Sequence, residues 1–135
     1  MKIKMPISVG EVVDKLTILE IKKQKISDPK KLENVIVEYN ELKKLYEEIS
    51  LSSDVVDNLL ELIALKADLF EVNRSLWVIE DNIREKERIK DFGPEFIRLA
   101  RDVYHANDIR YSCKNEINIL FNSHIKEEKS YESYS

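Results

Sequence analysis

Between residues 73 and 110 the chain carries Asn73, Trp77, Glu80, Asp81 and Arg84, then Arg101, Tyr104, Asn107 and Asp108, with Arg110 just beyond. Guanidinium groups grip carboxylates and phosphates through a planar fork of donors. Indole and phenol rings offer flat apolar faces, and amides and carboxylates orient hydroxyls. The set suits a small anionic or sugar-bearing ligand, such as a sugar phosphate or a nucleotide. The same residues have a second use: Glu80 and Asp81 closing on the arginines as a buried ion-pair network, which fixes helix register and binds nothing.

Two helices must bring these residues together. If they fold back on each other around Gly93, residues whose numbers sum to about 185 face one another, because both helices rise equally per residue. This places Arg84 near Arg101, Glu80 and Asp81 near Tyr104 and His105, and Trp77 near Asn107 and Asp108. On the fourth helix the core-facing spacing reads Phe96, Ala100, Val103, Asn107, Arg110, Lys114, Ile117, Phe121. Three polar residues therefore interrupt an apolar stripe, and each must be paired, face a wet cleft or hold a ligand.

The class follows from composition and punctuation. Hydrophobic residues make up 43% and charged residues 36% of 135 residues, with two Gly and three Pro. Helices suit that balance and a β-fold does not. Ser8 and Glu11 have capping-box spacing, with Ile7 and Val12 as a staple, and open a helix that runs to about Ile26. Asp28-Pro29 opens a second, which carries the apolar stripe Leu32, Val35, Ile36, Tyr39, Leu42, Leu45, Tyr46 and Ile49. Asp54 is the expected cap of a third helix of about 36 residues, roughly 54 Å long, in a chain whose compact diameter is roughly 35 to 40 Å. Gly93-Pro94 ends it and opens a fourth, to about Asn122. The expected architecture is all-α, an antiparallel bundle of about four helices with the long third helix paired to the fourth. Residues 1–123 form the domain and residues 124–135 a polar tail, mobile or docked.

The third helix has apolar residues in adjoining columns, among them Leu62, Leu69, Leu76 and Ile83 in one and Ile63, Phe70 and Trp77 in another. That face is wider than one antiparallel partner covers. With the excess length, it predicts a homodimer; the alternative is a lone bundle with a bent central helix. A formal net charge of −4 with interspersed signs argues against nucleic acid as a partner. A lone Cys113 excludes an internal disulfide, no apolar run reaches membrane-span length, and the start lacks a leader pattern. The expectation is a soluble, cytoplasmic protein without a membrane partner.

Weaker signals lie elsewhere. Glu11, Asp14 and Lys15 cluster near the start of the first helix and contribute to a site if that end packs against the helix pair; capping and a Glu11 to Lys15 ion pair are the alternative, which needs no function. Glu38/Glu41 followed by Asp54/Asp57 faintly echoes the magnesium spacing of helical nucleotide pyrophosphohydrolases, but lacks the glutamate of the second pair. His105, His124 and Cys113 have no metal-ligand spacing, and no Ser or Cys has a base beside it. No metal, cofactor or catalytic residue is assigned on these grounds.

The strings Pro6-Ile-Ser-Val-Gly-Glu-Val-Val-Asp-Lys-Leu-Thr-Ile-Leu-Glu-Ile-Lys, Val72-Asn-Arg-Ser-Leu-Trp-Val-Ile-Glu-Asp-Asn-Ile-Arg, Leu99-Ala-Arg-Asp-Val-Tyr, Asn107-Asp108 and Glu127-Glu-Lys-Ser-Tyr resemble a small bacterial and phage domain family of unknown function. Members sometimes occur near, or joined to, surface-polysaccharide and glycosyltransferase proteins. The resemblance covers nearly the whole chain and implies weight on Glu11, Asp14, Lys15 and the residues of the third and fourth helices named above. It brings no catalytic assignment. The leading expectation is a non-catalytic binding or accessory protein. The alternatives are a metal-dependent or acid/base enzyme acting on a nucleotide or sugar phosphate, with Glu80 or Asp81 as base or ligand, and a purely structural helical assembly.

Overall fold

The computed structural model describes residues 1–52, 56–123 and 127–134. Among them the chain forms four helices: α1 Val9–Lys25, α2 Pro29–Ser50, α3 Leu59–Arg88 and α4 Pro94–Leu120. No strand occurs among the described residues, and none of the helices is long and apolar enough to cross a membrane. The bundle is all-α as the composition requires, and α3 with α4 is its principal pairing.

Local signals set most of the ends. The Ser8 hydroxyl accepts from the Glu11 N–H at 3.2 Å, and one Asp28 oxygen accepts from the N–H groups of Lys30 and Lys31, so each satisfies donors a helix start leaves open. The expected start of α3 shifts. A short 3₁₀ turn, Val56–Asn58, precedes it and Asn58 makes no side-chain cap; the predicted cap, Asp54, lies outside the described residues. The helix is 30 residues long, about 45 Å, rather than the 36 expected.

Its end also shifts, from Gly93 back to Lys90, which adopts a left-handed φ of 58°. The Asp91 N–H then reaches the Lys86 carbonyl at 3.0 Å, the six-to-one bond of a Schellman ending. Gly93 has an ordinary φ of −75° and serves as N-cap of α4. Asn122, at φ 48°, ends α4 in the same way, with the Ser123 N–H on the Asn118 carbonyl at 2.8 Å.

The four helices share the core unequally. α1 is the central one: Val12, Val13, Leu16, Leu19 and Ile21 are almost completely buried, because α2, α3 and α4 all pack on it. α2 has no fully buried side chain; its stripe lies on α1, helped by Lys15–Glu38 at 3.1 Å and by Lys23 over the Tyr39 ring. The main cluster joins Val13 to Leu62, Leu65, Leu69 and Val72 of α3 and to Ala106, Cys113 and Ile117 of α4.

Beyond Asn73 no α3 side chain is fully buried, and before Ala106 only Leu99 of α4 is. The α3–α4 hairpin therefore continues past the core as a two-helix arm. This is where the length of α3 goes.

One close approach fixes α1 against α4. A Cβ on Gly10 would stand 2.6 Å from the Lys114 carbonyl oxygen and 2.9 Å from Asn118 Oδ1. Glycine is needed there for space, since its backbone lies in regular helix. The contact is completed by the Gly10 N–H, which donates to Asn118 Oδ1 at 2.7 Å.

Candidate functional site

The polar residues of α4 find their partners on α1. Asp14 is 1% exposed, and its carboxylate accepts from Arg110 Nε at 2.9 Å, Arg110 Nη2 at 2.6 Å and Asn73 Nδ2 at 2.9 Å. Asn73 Nδ2 also donates to the Thr17 hydroxyl, which donates to the Asp14 carbonyl oxygen. One knot thus ties α1 to both α3 and α4. The bidentate fork is the strong form of a charge-assisted pair, and its bond to Asp14 raises the Arg110 pKa above the usual guanidinium value. No buried side-chain polar atom lacks a partner among the described residues.

One turn further along α4, the Lys114 ammonium lies 2.6 Å from Glu11 and 2.5 Å from Glu127. Burial alone pulls that ammonium's pKa down, but the two carboxylates outweigh it and hold it above the ordinary lysine value. Glu127 belongs to the C-terminal segment, so this lysine docks the segment on the bundle. The Tyr111 hydroxyl donates to the Glu127 carbonyl at 3.2 Å. Tyr134 at the other end donates to Asp108 and packs against Tyr104 and His105.

Two open clefts flank this scaffold. The first, about 550 Å³, lies between α1, α3 and α4. Ile18, Ile21 and Leu76 give it an apolar lining, and Asn73, Trp77, Glu80, Asp81, Arg84, Asn107 and Arg110 complete it. The second, about 740 Å³, lies between α4 and the C-terminal segment and includes Tyr104, Asn107 and Asp108. Among the described residues only Asn107 is common to both.

The nine residues singled out from the sequence are therefore divided. Asn73, Trp77, Glu80, Asp81, Arg84 and Asn107 line the first cleft; Tyr104, Asn107 and Asp108 line the second; Arg101 is exposed and lines neither. The closed network across the seam does not form among the described residues: Arg84 pairs with Glu80 on its own helix at 3.3 Å, with the arginine largely in water and the glutamate about half exposed. The register holds, since Asn73 and Arg110, which sum to 183, meet on one carboxylate.

The fourth-helix stripe is corrected by about one residue. Lys114 and Ile117 are buried as expected, but Leu99, Ala106 and Cys113 are the other apolar buried positions, because α4 packs on α3 along that column while Arg110 and Lys114 turn toward Asp14 and Glu11 of α1. The start of α1 does pack against the helix pair, the condition under which Glu11 and Asp14 join the site, but their pairing with Lys114 and Arg110 was not assigned from the sequence. The signal was present: Asp14 is a lone acid among Val12, Val13, Leu16 and Leu19. Glu11 pairs with Lys114 and Lys15 with Glu38, not with each other.

Glu38 and Glu41 are drawn to Lys15 and Lys2, and Asp54 and His124 lie outside the described residues. No group of three His, Cys, Asp or Glu is placed to hold a metal among the described residues. Burial raises the Cys113 thiol pKa, which disfavours the reactive thiolate. Comparison of the chain with protein-family models, curated proteins and solved structures found no match.

The docked segment makes an acid-dependent prediction. The bond from Lys114 is the main cause holding the Glu127 carboxyl below its usual 4.5. A depressed carboxyl stabilises the folded state above the unfolded value, and the contribution is lost as the pH falls through the folded one. In an NMR titration the Glu127 carboxyl should titrate with a midpoint below 4.5, with Lys114 and Tyr111 shifting in step, and Glu127→Gln should abolish that step. A midpoint at or above the ordinary value contradicts the docking.

Proposed function

We propose that the chain is a non-catalytic binding or accessory protein that holds a small sugar-bearing ligand in the cleft between α1, α3 and α4, with Arg84 placed to meet an anionic group on it. The observation that carries this reading is the composition of that cleft. An indole, Trp77, stands beside an apolar lining of Ile18, Ile21 and Leu76, with amide, carboxylate and guanidinium groups around it in about 550 Å³. That combination of one flat apolar face and several convergent polar groups suits a ring bearing hydroxyls.

Charge refines the ligand. Arg110 is already committed to Asp14, and Arg84 has Glu80 as a neighbour it can exchange for a ligand anion. Glu80 and Asp81 add negative charge, so a bare phosphate is poorly served and a neutral hydroxyl-bearing body carries the binding. Asp81 is exposed and Glu80 half-buried, a setting that favours accepting hydroxyl hydrogen bonds over general-base chemistry. The resemblance to domains that accompany surface-polysaccharide proteins points to the same ligand class.

The test is a thermal-shift screen of sugars, sugar phosphates and sugar nucleotides, followed by calorimetry. A ligand at a hundred times its Kd adds about 2.7 kcal/mol of stability. Trp77→Ala should weaken binding by about tenfold or more through loss of the stacking face, while far-UV circular dichroism keeps its helical signal. No stabilising compound, or binding indifferent to Trp77→Ala, contradicts the reading.

We also infer that a second copy covers the two-helix arm. Val78, Ile89, Phe92 and Ile97 are each about half exposed there, apolar surface that pairing would remove from water. Light scattering over a concentration series should give twice the chain mass. A monomer throughout contradicts this.

A further inference from the structure

We propose that the second cleft, between α4 and the C-terminal segment, is a binding site for a small alkylammonium cation. Four tyrosine rings line it, Tyr104 and Tyr111 from α4 and Tyr131 and Tyr134 from the segment, together with the carboxylates of Asp108 and Glu132. The face of an aromatic ring carries the negative part of its quadrupole and attracts a cation within about 6 Å of the centroid. Rings gathered around two carboxylates make a cage for positive charge. Two carboxylates face one ammonium, that of Lys129, in this lining, whereas two guanidinium groups, Arg84 and Arg110, balance Glu80 and Asp81 in the cleft beside Trp77.

The chain already places a cation on these rings. The Lys129 ammonium lies 5.5 Å from the Tyr111 centroid and 5.7 Å from that of Tyr131, both near the outer limit of the interaction. Among the described residues its carboxylate contact is Glu127 at 3.9 Å, a long and loose pair. Lys129 is thus an internal occupant held weakly, and a cation free to seat itself against the ring faces replaces it. An alkylated ammonium is favoured over lysine's own group because it is less strongly hydrated and sheds less water on entering.

Tyr134 helps close the cage. It is held by Asp108, by a 3.2 Å contact between its hydroxyl and His105 Nδ1, and by edge contact with the Tyr104 ring at 5.3 Å between centroids. The anchor between Lys114 and Glu127 brings the segment to α4 from its other end. The site therefore exists only while the segment is docked, and binding of the cation and docking of the segment support each other.

The experiment titrates choline, and separately its uncharged isostere 3,3-dimethylbutan-1-ol, into the full chain while amide NMR shifts are followed. Choline should produce saturable shifts confined to the 104–112 stretch of α4 and to residues 127–134, with the isostere weaker by about tenfold. Lys129→Gln should tighten choline binding about threefold or more by removing the internal competitor. Tyr131→Leu should weaken it by a similar factor. Tyr131 is 82% exposed, so the fold does not rest on it. Equal binding of the uncharged isostere, an affinity unchanged or reduced in Lys129→Gln, or no saturable shift would each overturn the proposal. None of these outcomes bears on the cleft at Trp77, whose ligands are screened separately.

Discussion

A carboxylate buried to 1% exposure at the centre of three packed helices constrains everything around it. Taking such a charge out of water costs several kcal/mol or more, so the surrounding chain must return to it what water supplied. Arg110 does this with two parallel bonds, and Asn73 with a third. Because those partners come from different helices, satisfying Asp14 also sets the position of α1 against the α3–α4 hairpin. A hydrophobic contact tolerates sliding, whereas a bidentate pair with an amide on the same oxygen does not.

The rest of the architecture is organised from that point. Lys114 with Glu11 and the Gly10 backbone on Asn118 repeat the same helix pair one and two turns on, and Gly10 permits the close approach that both require. On the other side, the knot forms one wall of the first cleft: Asn73 and Arg110 belong both to the pin and to the lining. The polar groups around Trp77 are thereby held open to solvent instead of collapsing onto one another. Asn107 then lies between this cleft and the tyrosine-lined one, so the two surfaces are opposite sides of one length of α4.

Much of this was legible in the residues. Ser8, Asp28, Pro29 and Pro94 mark helix starts through chemistry that operates within a few residues, and the structure keeps them. The hairpin register followed from equal rise per residue and brought six of the nine singled-out side chains to one cleft. What was not legible depended on a third body. The polar positions of α4 were read against α3 because a two-helix seam was the nearest partner; their counter-charges sit on α1, about a hundred residues earlier. The end of α3 was assigned to Gly93, the usual left-handed residue, yet Lys90 takes that conformation because the Schellman bonds of Asp91 and the Asp91 side chain on the Gly93 N–H support it. The docking of the tail could not be read from its polar composition, since its anchor is a single buried lysine.

The central claim is that Asp14 and Arg110 act as one unit that locks the helices in place. A double-mutant cycle, with unfolding free energies of Asp14→Ala, Arg110→Ala and the double variant measured in urea, tests it most directly. Arg110→Ala alone strands the buried carboxylate and should cost about 3 kcal/mol, with a coupling of about 2 kcal/mol or more between the two sites. Single-variant costs that add to within about 0.5 kcal/mol would show two independent side chains and contradict the account.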